Sequence, residues 1–343
     1  MRRLLAALLA AAVVVALPAA RAADDVVNVY SARHDTLIKP LLDRFSKQTG
    51  IAVGLVTGNS DAMIKRLQVE GRNTPADVLI TVDVARLGRA ARAGLFQPVR
   101  SDRLETAIPA PFRDPDGLWF GLSMRARVIA YSRERVDPAS LSTYEALTDN
   151  RWDDRICIRS SDNVYNQSLL ASIVAAHDEH YAAQWARGIV DNMARRPQGG
   201  DTAQIQAVAA GVCDVAVVNT YYYARMITAD KGTEARAAAE KVGLFFPNQD
   251  GRGAHVNVSG AGVLRHARHK DAAVRLLEYL ASPEAQTWLG QANYEYPVNP
   301  DGEVSDVVRN LGHYPFKRDD VPLARLGELN ATAVRIFDRA GWR

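Results

Sequence analysis

No G-x-S-x-G elbow and no H-E-x-x-H pair occurs anywhere in the 343 residues, and there are only two cysteines. The first two absences remove common signatures of hydrolases. The third leaves no thiol nucleophile if Cys157 and Cys213 pair with each other. The seven histidines add little, because most fall in polar stretches such as "HARHK" and "HDEH", where a solvated face is the simple reading. An enzyme is not expected.

Net charge is also lacking once one segment is set aside. Arg2 and Arg3 precede the apolar run "LLAALLAAAVVVAL", and Ala20-Arg21-Ala22 gives a small-x-small cleavage site, so residues 1–22 read as a secretory signal peptide. A membrane anchor would need roughly 20 apolar residues with different flanks. The whole chain is formally +3, and the first 22 residues carry three arginines and no acid, which leaves the remainder neutral. A neutral exported chain excludes nucleic acid as an expected partner, since that reading wants a basic face. With 48% hydrophobic and 24% charged residues, the rest is an ordinary soluble globular chain, long enough for two domains.

What is present is an alternation of strands and helices. "VVNVY" is a β-branched strand, and Leu37, Leu41, Leu42 and Phe45 form a helical stripe that Gly50 ends before a second strand. A helix at "DAMIKRLQVEG", a strand at "ADVLITV" and a helix at "VARLGRAARAG" follow. This α/β alternation calls for a mostly parallel sheet covered on both faces, with ligand sites beyond the strand ends after Tyr30 and Thr81.

Residues 118–132, "LWFGLSMRARVIAYS", read as one unusually long strand crossing from one lobe to another, with Arg125 and Arg127 on the same face. Such a face is either a solvated edge or, at a hinge, the lining of a cleft. A second α/β run includes "RICIRS" and "VCDVAVVN". Cys157 and Cys213 lie in these runs, and an oxidising compartment allows them to pair. The expected organisation is two α/β lobes joined by more than one crossing. Lobe 1 takes residues 23–123 plus about 248–298, and lobe 2 takes 124–247 plus about 299–343.

Three loops after predicted strands carry the candidate side chains: "YSARHD" with His34 and Asp35, "SSDNVYNQS" with Tyr165, and "NTYYYAR" with Tyr221, Tyr222 and Tyr223. Phenolate is a hard anionic donor, so a site rich in tyrosine suits a hard, highly charged ion such as Fe³⁺. Softer metals prefer thiolate or imidazole. A free tyrosine titrates near pH 10 and ligates at neutral pH because the metal displaces its proton. Composition alone leaves each of the 12 tyrosines readable as a packing residue with a polar tip. The adjacent triplet after a strand weakens the packing reading without settling it.

"VYSARHD", "RARVIAYSRERV", "ICIRSSDNVYNQSLLA", "CDVAVVNTYYYAR" and "SGAGVLRHARHKDAAVRLLEYLASPEAQ" resemble the periplasmic ferric-ion-binding proteins that deliver Fe³⁺ to ABC importers. The resemblance implies the two-lobe periplasmic binding protein fold, with a ligand cleft between lobes joined by crossing strands. It also implies iron ligation by Tyr165, Tyr221 and Tyr222, with Tyr223 left to packing, and it matches His34 to the family's first-loop histidine. Asp35 stands where many relatives have tyrosine, so either it ligates at closer approach or an anion and water complete the shell. Anion contact is implied for Arg125 or Arg127, Arg125 first, with carbonate as an example of a synergistic anion. The implied partner is an inner-membrane ABC permease, and a monomer is expected. The competing reading is a carrier of a small organic or inorganic anion held by Ser160, Ser161, Asn163 and Gln167 with the two arginines. It predicts a colourless protein.

Overall fold

The computed structural model describes residues 26–343. The expected signal peptide, residues 1–22, lies outside the described residues. The chain opens with β1 (Val26–Ser31), α1 (Asp35–Thr49), β2 (Ala52–Thr57), α2 (Ser60–Glu70), β3 (Val78–Val82), α3 (Val84–Arg92) and α4 (Asp102–Ala107), then runs into β4 (Phe120–Ser132). After it come β5 (Ile156–Cys157), α5 (Val164–Ala176), α6 (Glu179–Asp191), α7 (Asp201–Ala209), β6 (Val215–Asn219), α8 (Thr220–Ile227), α9 (Glu234–Glu240) and β7 (Val242–Phe245). The remainder is β8 (Val256–Val263), α10 (Lys270–Leu280), α11 (Pro283–Asn293), α12 (Asp306–Arg309) and α13 (Leu323–Ala340).

The first helix shows how the pattern becomes structure. Its buried stripe is Ile38, Leu41, Leu42 and Phe45, so the inward face includes Ile38, while Leu37 is half-buried. Gly50 closes it in the left-handed conformation, φ +76°, which glycine reaches without a Cβ penalty.

The strands form one eight-stranded sheet in the order β2-β1-β3-β8-β4-β6-β5, with β7 also paired to β4. Pairing is parallel for β1 with β2 and β3 and for β5 with β6, and antiparallel for β3–β8, β8–β4, β4–β6 and β4–β7. The expected mostly parallel sheet is therefore mixed. β8 lies antiparallel between β3 and the first part of β4, and β4 meets β8, β6 and β7 antiparallel.

β4 bears out the expected crossing strand. Phe120–Ala126 pairs with β8, and from Arg127 onward the strand pairs with β6 and then β7. One continuous strand thus belongs to both halves, and its partners change between Ala126 and Arg127.

The C-terminal helix also touches both halves. Gly88 of α3 and Gly327 of α13 let the two backbones approach so closely that a Cβ at Gly88 would lie 3.2 Å from the Gly327 Cα. Farther along, Asn330 donates to Gln167 of α5 at 3.0 Å, and the Trp342 indole donates to the Arg159 carbonyl at 3.1 Å. Cys157 and Cys213 form a disulfide with Cα atoms 5.8 Å apart. Cys213 sits two residues before β6, so the bridge fastens the strand leading to Tyr165 to the one leading to the tyrosine triplet.

Candidate metal centre

The segments expected as loops around Tyr165 and the triplet are helix N-termini. Asn163 caps α5 by accepting from the Tyr165 N–H at 3.0 Å, and Tyr165 is the second helical residue. Tyr221 and Tyr222 are the second and third residues of α8, directly after β6. The triplet is therefore held by a helical first turn and not by a strand end. Helix N-termini favour negative charge, so both helices present an environment suited to a phenolate.

The geometry joins two of the phenols directly. The Tyr221 hydroxyl donates to the Tyr165 hydroxyl at 3.2 Å, and the Tyr221 and Tyr222 ring centroids are 4.3 Å apart. Tyr223 turns the other way, into the core, and donates to the Val242 carbonyl at 3.1 Å. Burial, reinforced by the charges that Tyr165 and Tyr222 would carry, pushes the Tyr221 phenol well above its ordinary value. Burial and the Tyr165 and Asp201 charges push Tyr222 up as well, against the hydrogen bond with Tyr221 and the Arg159 charge. Both phenols hold their protons until something more strongly attracting arrives.

Cations surround them. The Arg125 and Arg159 guanidiniums lie 5.6 and 5.4 Å from the Tyr165 ring centroid, and Arg225 lies 5.1 Å from that of Tyr221. Among the described residues no group of three or more His, Cys, Asp or Glu is placed to hold a metal ion. A metal at this cluster would rest chiefly on phenol oxygen.

Arg125 and Arg127 are both buried, not on a solvated edge, and they differ in bonding. Arg127 donates to Asp201 at 3.2 Å, Asn219 at 3.1 Å, Asn166 at 2.6 Å and the Val217 carbonyl at 3.2 Å. Arg125 has one hydrogen bond, from Nη1 to Ser259 at 3.0 Å, and its Nε and Nη2 have no partner among the described residues. Burial works against the Arg125 charge, yet Glu295 and Asp83 more than offset it and raise its pKa.

His34 and Asp35 are placed differently. His34 is the N-cap residue of α1 and Asp35 its first residue; both are exposed and line a cavity of about 790 Å³ with Thr57, Asn59, Ser60 and Arg86. Neither makes a hydrogen bond or ion pair to a tyrosine among the described residues. Arg33 beside them is buried and donates to Glu295 at 2.6 Å and Ser123 at 2.7 Å, anchoring this turn to β4.

Sequence reasoning did not single out Arg33, Asp83, Arg159, Ser259 or Glu295. The reading that ligand sites follow Thr81 pointed to the β3–α3 turn, where Asp83 sits. An aspartate before "VARL" is a capping signal. Nothing local marked the others.

Residues 73–311 match the family of bacterial extracellular solute-binding proteins. Iron uptake protein A1 of Synechocystis sp. is 49% identical over 317 residues, which cover 92% of this chain and 87% of that protein. The major ferric iron-binding protein of Neisseria meningitidis serogroup B is 28% identical over 345 residues, 98% of each chain. Among solved structures, a Trichodesmium protein (IdiA, FutA) in complex with iron and citrate ligands superposes with a TM-score of 0.89 at 49% identity, covering 93% of this chain and 100% of that one.

Proposed function

This chain belongs to the family of bacterial extracellular solute-binding proteins, and from that premise we propose that it binds ferric iron in the periplasm and delivers it to an ABC-type inner-membrane importer. Tyr165, Tyr221 and Tyr222 supply phenolate ligands. Arg125 holds a small anion such as carbonate that completes the shell, and His34 and Asp35 approach from the opposite wall. The observation that carries this reading is the meeting of two phenol oxygens at 3.2 Å, with the ring of a third phenol tilted against one of them at 4.3 Å, at two helix N-termini.

Each part has a physical role. Iron displaces the phenol protons, and the flanking Arg159 and Arg225 together with the helix N-termini offset the negative charge of the phenolates. The unfilled Nε/Nη2 edge of Arg125 suits a planar oxyanion bidentately. Arg127, with both terminal nitrogens hydrogen-bonded, holds the floor of the site in place. The lobes, residues 23–123 with about 248–298 and 124–247 with about 299–343, close on the ligand by flexing β4, and the protein works as a monomer.

Metal analysis and a visible spectrum of the purified protein test this. Ferric iron bound by phenolates gives a coloured charge-transfer band. A colourless protein that binds a small anion and no iron would favour the anion-carrier reading instead.

A further inference from the structure

Asp83 is left unused by the iron reading. It directly follows β3 and caps α3 at φ +75°, a conformation that a non-glycine residue adopts only where its surroundings impose it. Its Oδ1 accepts from the Ala85 N–H at 2.9 Å and from the Ser168 hydroxyl at 2.6 Å, one turn along α5 from Tyr165. Its Oδ2 has no hydrogen-bond partner among the described residues and lies 3.9 Å from Arg125 Nη2.

That distance is too long for a hydrogen bond, but it is short enough for charge to act strongly between groups that are 0% and 2% exposed. The open edge of Arg125 is the one a guanidinium offers to a carboxylate or carbonate. A buried carboxylate therefore stands beside the place an incoming anion would take, tied down by its cap and by Ser168.

Resting on the reading of Arg125 as the anion site, we propose that Asp83 is a built-in competitor for that site and a determinant of which anions it holds. In the iron-free protein its carboxylate partly neutralises Arg125. When a small planar oxyanion binds, Asp83 opposes it, and opposes a dianion more than a monoanion. The anion is held loosely enough to exchange.

The test is calorimetric titration of the iron-free protein with oxalate and, separately, with acetate. Asp83→Asn keeps the Oδ1 acceptor for Ala85 and Ser168 and removes the charge, and oxalate should bind at least about tenfold more tightly, with a smaller gain for acetate. Asp83→Ser keeps a capping hydroxyl and should change affinity in the same direction, which guards against a folding defect in one variant. Arg125→Gln should abolish the gain when combined with either. Unchanged or weaker oxalate binding in both Asp83 variants, with loss in Arg125→Gln, would overturn this inference alone. Oxalate binding that survives Arg125→Gln would overturn it together with the anion half of the iron reading, while the visible ferric band reports the tyrosines independently.

Discussion

Arg125 and Arg127 lie two residues apart on one face of β4, each with almost no exposed surface, and the two halves of the molecule use them in opposite ways. Around Arg127, on the side of β6 and α7, acceptors converge until four hydrogen bonds are made, and Asp201 is shared further with Arg159 at 3.2 Å and the Asn219 N–H at 2.8 Å. Around Arg125, on the side of β8 and β3, one hydroxyl is engaged and a carboxylate stands off at 3.9 Å. A buried cation whose two terminal nitrogens are both bonded, as in Arg127, fixes structure even though its Nε has no partner among the described residues. One with a free terminal nitrogen, as in Arg125, is the better candidate for the proposed anion.

The sharpest way to break that comparison is to remove each cation. Arg127→Gln should destabilise the protein by about 3–5 kcal/mol in urea unfolding, because Asp201 is left buried with less compensation. Arg125→Gln should cost less than half of that. Equal losses would dissolve the distinction.

Next in size is the tyrosine side. Tyr165→Phe, Tyr221→Phe and Tyr222→Phe should each lower iron affinity by more than about 100-fold, beyond what the loss of an outer partner gives. Tyr223→Phe should leave both affinity and visible band nearly intact, since its oxygen serves the Val242 carbonyl. Because burial holds Tyr221 and Tyr222 protonated, iron affinity should rise with pH as those protons become easier to release, and each ligand mutant should release about one proton fewer per iron. A pH-independent affinity would rule out phenol ligation.

A smaller effect is expected at the opposite wall. Asp35→Ala should weaken iron binding by less than about tenfold, since an anion and water can take its place. A loss matching that of Tyr165→Phe would make Asp35 a primary ligand.

The smallest effect belongs to a pair of arginines outside both networks. Burial works upward on the Asp214 carboxyl, but hydrogen bonds and charge from Arg135 and Arg155 outweigh it and lower its pKa. A lowered acid contributes stability that is present above its unfolded value near pH ~4 and lost as pH falls through the native one. Asp214→Asn should therefore cost about 1 kcal/mol at pH 7 and progressively less on acidification, checked by urea unfolding at several pH values.

Much of this was legible in the sequence, and the rest was hidden for physical reasons. The length and alternation of "LWFGLSMRARVIAYS" sufficed to identify a crossing strand and to set both arginines on one face. The bonding state of Arg125 depends on Asp83 and Ser259, which arrive from distant strands and leave no local mark. Asn163 and Asn219 stood where N-caps belong, yet the polar and aromatic residues after them resembled loop, so the helical first turns were missed. The two cysteines could be paired because there were no others to choose from. The antiparallel entry of β8 was not legible, because apolar runs record burial and not direction.

The change of partners within β4 has a consequence for how such a protein can vary. Ala126 and Arg127, where the strand passes from one half to the other, lie immediately beside Arg125. Under the proposed function, any heritable change in how easily the halves swing would also move the cation proposed to meet the anion. On that reading, opening speed and ligand preference would be pleiotropic outputs of the same few codons, and selection on one would drag the other with it.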